Sequence, residues 1–197
     1  MKKSFLFLLR TFLFIVGFCA AVWLFLPWRE VGSAAVSLGS SVLEGKGIRL
    51  SCSDVEGVEG GFTMNGLSVG GFVSLSFSSV TLRPQLLASL MSLAPVCEVA
   101  FRGGAMTMGQ KMDLGDGGFL LTASPSEVLL EGLHSDGDFS LDGFLTIDPV
   151  HMKIGRAETA VRVPASFEEN MNTLKSFLPL VKEGNGNWFL RRQEGAN

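Results

Sequence analysis

The hydrophobic residues of this chain are concentrated first in one long run near the N-terminus. From residue 12 to residue 27 there is no charged side chain, and the apolar character extends over residues 5–28. At about 1.5 Å per residue, a helix of that length spans roughly 36 Å, and the hydrocarbon core of a bilayer is about 30 Å thick. The pattern therefore predicts a transmembrane helix over residues 5–28.

The end of this run favours a retained anchor over a cleaved signal sequence. A cleaved signal has an apolar core of about 7–15 residues followed by small residues. Here the run is longer and ends in Leu26, Pro27 and Trp28, which are bulky, and Phe18 precedes Cys19 where a lipid-modified cysteine needs a small neighbour. The side chains expected within the bilayer are Phe12, Phe14, Ile15, Val16, Val22, Trp23 and Phe25.

The charges that flank the run predict its orientation. Lys2, Lys3 and Arg10 lie on the N-terminal side, and no acidic residue opposes them. Because basic residues concentrate on the cytoplasmic side of membrane spans, residues 1–4 are expected to form a short cytoplasmic tail. Residues 29–197 then form one extracytoplasmic domain, most simply a periplasmic domain held at a bacterial inner membrane.

Helical spacing continues directly after the run. Trp28, Val31, Ala35, Leu38 and Val42 recur at intervals of three and four, which places them on one helical face, and glycines follow at 45 and 47. This face either covers a sheet or lies on a membrane surface. Apart from Arg29 at its start, this segment has no Lys or Arg before Lys46, which favours the sheet.

Alternating polar and apolar residues predict strands over most of the remaining chain. Val73, Leu75 and Phe77 alternate with serines, and the alternation then shifts to Val80 and Leu82, which predicts a bulge or bend near residues 78–79. Three glycine-containing pairs or segments predict tight turns: Asn65-Gly66, Gly103-Gly104 and Asp113–Gly117. Further strands are expected near 118–123, 127–133, 137–147, 153–163 and 188–190.

Two more helices are predicted. The segment 84–93 has Leu86, Leu87, Leu90 and Met91 as its apolar face. In the second, Ser166 and Glu169 match a capping box, and the apolar face comprises Phe167, Met171, Leu174, Leu178 and Val181. Pro179 is expected to kink or end this helix near Phe177. The predicted fold class is an N-terminal transmembrane helix followed by a mainly-β (α+β) domain, in which two or three helices cover a curved antiparallel meander sheet.

Charge and cysteine content narrow the range of partners. Three of the 16 basic residues precede Trp28, so 13 basic and all 19 acidic residues follow it, a balance of −6. This balance argues against nucleic acid as a partner. Cys52 and Cys97 can be buried thiols or a disulfide, and the sequence leaves the choice open.

Candidate catalytic chemistry is sparse. His134, Ser135 and Asp136 are adjacent, but neighbouring strand residues point to opposite faces, so they are interpreted as an exposed polar turn and not a triad. A calcium loop that would begin at Asp136 fails, because Leu141 and Ile147 stand where it needs glycine and an acid. No cysteine spacing fits zinc. The sequence therefore predicts no catalytic residue, no metal site and no cofactor.

The order of these features resembles a known family. The anchor ends in Leu26-Pro27-Trp28, a strand leads into Arg83-Pro84-Gln85-Leu86-Leu87, and Gly143 opens a strand that ends in Asp148-Pro149. This resembles the type II secretion system protein N (GspN) family and, more loosely, the AsmA-like envelope proteins. The resemblance implies a non-enzymatic accessory component of the type II protein secretion system, anchored in the inner membrane and facing the periplasm, whose partners are the bilayer and other envelope secretion proteins.

The alternative function is an AsmA-like lipid-handling module with an apolar β-groove. Such a groove would be lined by Val73, Leu75, Phe77, Val99 and Phe101. The favoured interpretation of the same five side chains is an ordinary core beneath the two helices. A sheet face left open by the helices would favour lipid handling, and a covered sheet would favour a secretion component.

Overall fold

The structure is a computed structural model that describes residues 10, 11, 13, 14, 17, 18, 21–23, 25–71, 73–108, 110–151, 153–175, 178–184 and 186–192. Three of the expected membrane residues lie outside this set: Phe12, Ile15 and Val16. Phe14, Val22 and Phe25 are exposed. Among the described residues, no helix combines the length and the apolar character needed to cross a bilayer.

One antiparallel sheet dominates the described chain, which confirms the mainly-β prediction. Its strands are β1 (Arg49–Ser51), β2 (Asp54–Val58), β3 (Gly61–Gly70), β4 (Ser74–Pro84), β5 (Val96–Met108), β6 (Gln110–Ala123), β7 (Val128–Ser135), β8 (Ser140–Asp148), β9 (Lys153–Arg162), β10 (Leu180–Gly184) and β11 (Asn187–Arg192). Strands β3 to β9 follow one another as a meander. β11 then pairs with β9, and β10 pairs with β11 at the edge. β1 and β2 pair one after the other with the free side of β3.

The first helix, α1 (Trp28–Glu44), forms where predicted, but it buries a different face. Trp28 and Gly32 are the buried residues, whereas Val31, Leu38 and Val42 are 36%, 68% and 62% exposed. The prediction is therefore wrong, because the buried face of α1 is rotated by roughly one residue from the predicted face. The reason is Gly32, where an added Cβ would lie 2.7 Å from the Phe62 ring, so the sheet can approach the helix most closely at that position.

The three predicted glycine turns are also wrong, because all three lie inside long strands. Asn65-Gly66 is in the middle of β3, Gly103-Gly104 is within β5, and Asp113–Gly117 is within β6. Gly66 has a φ of 60° and lies where β1 gives way to β2 along the edge of β3. Glycine adopts positive φ at little cost, so a glycine in the sequence can indicate an irregularity within a strand as well as a turn between strands.

Bulges curve the sheet, although not at the predicted place. The pairs on both sides of Ser78 keep one register with β3 and with β5, so the change of alternation in β4 occurs without a bulge between these strands. Register shifts occur instead in the four consecutive pairs from β5–β6 to β8–β9. Each bulge bends its strand and increases the local twist, so four in succession curl the sheet.

The C-terminal helical segment covers the later half of the sheet. It consists of a 3-10 turn (Ala165–Phe167) followed by α3 (Glu168–Leu174). Phe167 and Met171 are 0% and 1% exposed, which confirms that its apolar face packs on the domain. The predicted start is wrong, because the helical turn begins after Pro164 without a side-chain cap and Ser166 lies inside it.

The helix ends before Pro179, as expected, at Leu174, and Phe177, near which the end was predicted, lies outside the described residues. Lys175 is the last described residue of the helical region, and the chain has entered β10 by Leu180. Val181, which was expected on the helix face, is a strand residue that is 51% exposed. Pro179 accounts for this end, because it has no backbone N–H to donate within a helix.

The core lies on one face of the curled sheet in three clusters. The first lies under α3, the second under β3–β6, and the third under α1. Phe77 packs against both the first and the second cluster, and its ring contacts that of Phe101 edge to face at 5.3 Å between centroids. The short helix α2 (Leu86–Ser92) has no buried residue, so two helical segments of the described chain, α1 and the C-terminal segment, cover the sheet.

Met171→Ala tests the packing of α3. Removing a side chain that is 1% exposed should lower the free energy of unfolding by about 2–5 kcal/mol through lost burial and cavity formation. The matched control is Val181→Ala, at a position that is 51% exposed and should change stability little. Denaturant titration of the full chain in detergent measures both. Equal effects would show that α3 does not pack on the sheet.

Gly143→Ala tests the bulged centre of the sheet. Gly143 has a φ of 141°, and an added Cβ would overlap the backbone carbonyl oxygen of Glu158 on β9. Gly132 also has positive φ, at 59°, but nothing lies within 4 Å of an added Cβ, so Gly132→Ala should cost only backbone strain of about 1–2 kcal/mol. Thermal melts should show the larger loss for Gly143→Ala. A larger loss for Gly132→Ala would contradict the described register.

Candidate functional site

The adjacent His134, Ser135 and Asp136 do not form a catalytic arrangement. The Ser135 hydroxyl donates to the Phe139 carbonyl at 3.2 Å and accepts the Leu141 N–H at 3.0 Å, so its hydrogen-bonding capacity is occupied by the β7–β8 turn. Ser135 is 8% exposed, which corrects the expectation of an exposed turn at this residue.

The partners of His134 and Asp136 are also backbone groups. His134 Nδ1 lies 3.0 Å from the Gly132 carbonyl oxygen, and Asp136 Oδ1 accepts the Asp116 N–H at 2.6 Å. Each of the three side chains therefore supports the local backbone. A triad would need the three to bond to one another.

Acidic residues near the bulge of β6 have a structural task. Asp116 Oδ1 accepts the Gly103 N–H at 2.9 Å, and Asp113 Oδ1 accepts the Gly115 N–H at 2.9 Å. These carboxylates satisfy N–H groups that the bulge removes from the regular ladder. Among the described residues, no group of three or more His, Cys, Asp or Glu side chains could hold a metal ion.

The two cysteines of the domain are free thiols in the structure. Burial raises the pKa of the Cys97 thiol, with a smaller increase from the charge of Glu98 and an opposing hydrogen bond to the Arg83 backbone. A reactive cysteine needs a lowered pKa, because the thiolate is the nucleophile. Cys97 is therefore chemically a core side chain, in keeping with its packing against the second cluster.

Two surface acids have lowered pKa values through local hydrogen bonds. Asp148 accepts the backbone N–H of His151 at 3.0 Å and contacts its ring Nδ1 at 2.6 Å, and these bonds hold its pKa below the ordinary range. Glu168 bonds to Lys182 Nζ at 2.8 Å and to the Gly186 N–H at 2.6 Å, and these bonds lower its pKa. Both acids fasten turns and do not face a cleft.

The five residues of the predicted groove lie in different surroundings. Val99 and Phe101 are 7% and 8% exposed in the second core cluster, and Phe77 packs on Phe101. Leu75 packs against the first cluster, and Val73 is half-buried before β4. The structure brings Phe77 and Phe101 together, whereas Val73 lies toward the end of the sheet where β4 begins.

An apolar cavity does exist, in a different place. A space of about 190 Å³, here called the inner cavity, lies between α1 and strands β1, β3 and β4. It is lined by Ala35, Val36, Leu50, Phe62, Met64, Leu67 and Leu82. The sequence pattern missed it, because it arises where Gly32 and its neighbours seat α1 on the sheet and not from any single strand.

A larger concavity, here called the outer groove, lies on the opposite, polar face of β3, β4 and β5. It encloses about 370 Å³ and is lined by Val58, Thr63, Asn65, Ser79, Thr81, Arg83, Glu98, Ala100 and Arg102. Thr63 and Thr81 hydrogen-bond across the strands at 2.9 Å. The sequence indicates this surface through the polar positions of its alternating strand pattern. In β4, Thr81 and Arg83 are the polar neighbours of Leu82, which faces inward.

The sequence of this chain is similar to one family of secretion-system proteins. The model for the type II secretion system protein GspN-like family of Synergistales matches residues 3–192. Comparison with curated proteins and with solved structures yields no significant match. The matched range includes both the apolar N-terminal run and the whole described sheet, so the chain belongs to the GspN-like family of type II secretion system proteins.

Proposed function

We propose that this protein is a non-enzymatic accessory component of a type II secretion system, held in the inner membrane by residues 5–28. Residues 1–4 face the cytoplasm, and residues 29–197 form a periplasmic domain that binds other envelope secretion proteins. The observation that carries the proposal is the family match over residues 3–192, which joins the apolar run to the sheet in one unit.

The covering of the apolar face of the sheet supports a protein-binding function over a lipid-handling function. The apolar face is closed by α1, by α3 and by its own curl, and the inner cavity of about 190 Å³ is smaller than the roughly 300 Å³ at which ligand pockets usually begin. The outer groove is open and carries two arginines and a glutamate. Such polar rims suit recognition of a protein partner.

AsmA-like lipid handling is the second candidate function. The observation in its favour is the inner cavity, whose lining residues are all apolar. The five residues first expected in a groove would contribute to lipid binding only if the sheet opened, because Val99 and Phe101 are buried core residues.

Fusion reporters test the membrane topology. A reporter that is active only outside the cytoplasm, placed after Asn197, should be active, because three basic residues precede the apolar run and orient it. The control is the same fusion without residues 1–28, which should lose activity because the chain is no longer exported. Activity from only a cytoplasm-specific reporter would overturn the proposed placement.

Two substitutions on the outer face separate binding from catalysis. Arg102→Glu reverses a charge in the outer groove and should reduce secretion of the system's substrate proteins, whereas His134→Ala removes the exposed imidazole and should leave secretion unchanged. Both positions are exposed strand residues, so the melting temperature should hold in both variants. Loss of secretion with His134→Ala alone would support an enzyme instead.

A further inference from the structure

The short helix α2 has the reverse of the polarity expected on a water-facing surface. Five apolar residues project into solvent: Leu86 at 42%, Leu87 at 79%, Leu90 at 70%, Met91 at 88% and Leu93 at 93% exposed. A surface helix of a soluble domain normally turns its apolar residues toward the core. Here the exposed residues form one contiguous apolar patch, which marks an interaction site.

Ser89 of α2 points the other way, toward the protein. Its Oγ donates to the Gln85 carbonyl at 2.7 Å and accepts the Val96 N–H at 2.8 Å, which fastens the helix to the start of β5. Ser92 is exposed, and its Oγ donates to the Ala88 carbonyl within the helix itself at 2.7 Å. The helix is thus held in place by Ser89, and its exposed leucines and Met91 have no structural task within the described fold.

The position of α2 in the fold indicates which partner would cover its exposed apolar residues. The start of α1 lies against β2, where a Cβ on Gly57 would be 3.2 Å from the Arg29 nitrogen. β2 pairs with β3, and Phe62 of β3 pairs with Leu82, two residues before β4 ends. With neighbouring strands about 4.8 Å apart, β4 ends roughly 10 Å from β2, and α2, which follows β4, lies at the end of the sheet where the N-terminal run enters the domain.

The N-terminal run is attached to the domain at this end. Trp23 contacts Trp28 edge to face at 4.7 Å between ring centroids, and both Trp23 and Leu26 pack against the third core cluster. The turn between β8 and β9 lies at the same end and exposes Val150 at 70%. A bilayer that holds the N-terminal run therefore lies next to these exposed apolar residues.

The patch can bind only through burial of apolar surface, because α2 has none of the basic residues that draw many interfacial helices to anionic headgroups. From Pro84 to Cys97 there is no charged residue. The residues after Trp28 carry a balance of −6, so long-range attraction to anionic headgroups is not available, and apolar insertion must provide the binding.

We propose that α2 is a membrane-docking helix whose leucines and Met91 enter the interfacial layer of the bilayer that holds residues 5–28. This inference rests on the anchoring proposed above. An interfacial helix buries its apolar face about 5–10 Å into the boundary between headgroups and acyl chains, which is a depth that the side chains of α2 can reach from the end of the sheet. Two attachments, the anchor and α2, would fix the orientation of the domain on the membrane.

Photocrosslinking in proteoliposomes of phosphatidylethanolamine and phosphatidylglycerol tests this proposal. A benzophenone amino acid replaces Leu87 in the full chain, and lipid adducts are detected by mass spectrometry. We expect a lipid adduct at Leu87 and none at Asp138, the control, which is exposed in the turn between β7 and β8 at the opposite end of the sheet. Equal yields at the two positions, or an adduct at Leu87 with protein only, would overturn the proposal.

A third probe distinguishes failure of the docking from failure of the anchor. A benzophenone at Phe14 should form a lipid adduct if the N-terminal run lies in the bilayer. An adduct at Phe14 without one at Leu87 refutes the docking of α2 alone, whereas no adduct at either position refutes the anchor as well.

Substitution within the patch tests its chemical cause. With the benzophenone at Met91, the double substitution Leu87→Gln and Leu90→Gln should abolish the lipid adduct, because interfacial insertion depends on apolar side chains. The melting temperature should not change, since both leucines are exposed. An adduct that persists in this variant would show that proximity to lipid does not depend on the apolar face of α2.

Discussion

The fold depends on how one long antiparallel sheet removes its apolar face from water with few helices to cover it. α1 covers the first strands and α3 covers the last ones, so the strands between must bend until their inner side chains meet. Successive bulges from β5 to β9 produce this bend, and Asp113, Asp116 and Asp136 accept N–H groups displaced from the ladder. These aspartates, which could first be taken for catalytic or metal-binding residues, therefore stabilise the bulges that curve the sheet.

The two faces of the curled sheet divide the possible activities of the domain. The inner face is filled by side chains such as Phe77 and Phe101, and a small cavity lies under α1. The outer face carries hydroxyl, amide and charged groups on the same strands. Since the inner face is occupied by the fold itself, the surfaces that remain open to a partner are the outer face and the ends of the strands, and the proposed role in a secretion system uses these surfaces.

Much of the strand pattern was predictable, because alternation reports directly which residues face the core. The positions of β4, of β7 to β9 and of the second half of β6, the extent of α1 and the burial of Phe167 and Met171 follow from spacing alone. The turns at Asn65-Gly66 and Gly103-Gly104 were wrong, because a positive φ satisfies a turn and a strand irregularity equally, and only the paired neighbour strand decides between them. The predicted buried face of α1 was wrong, because a pattern of hydrophobic residues does not include Gly32. Gly32 packs against the sheet because it has no side chain. The outer groove and the inner cavity join distant segments, and no local pattern encodes them.

The order of the strands has a consequence for how the chain is completed. Each strand from β4 to β9 finds its partner in the strand made just before it, so the sheet can grow in step with the emerging chain from the N-terminal side. The exception is the final hairpin, in which β11 lies between β9 and β10. Until Asn187–Arg192 arrives, β9 presents an unpaired edge, which other chains can extend. The last six residues of the described chain therefore cover the edge of β9 and join β10 to the sheet, so that the exposed edge moves from the long strand β9 to the five-residue strand β10. A short edge strand is a poorer template for pairing with another chain.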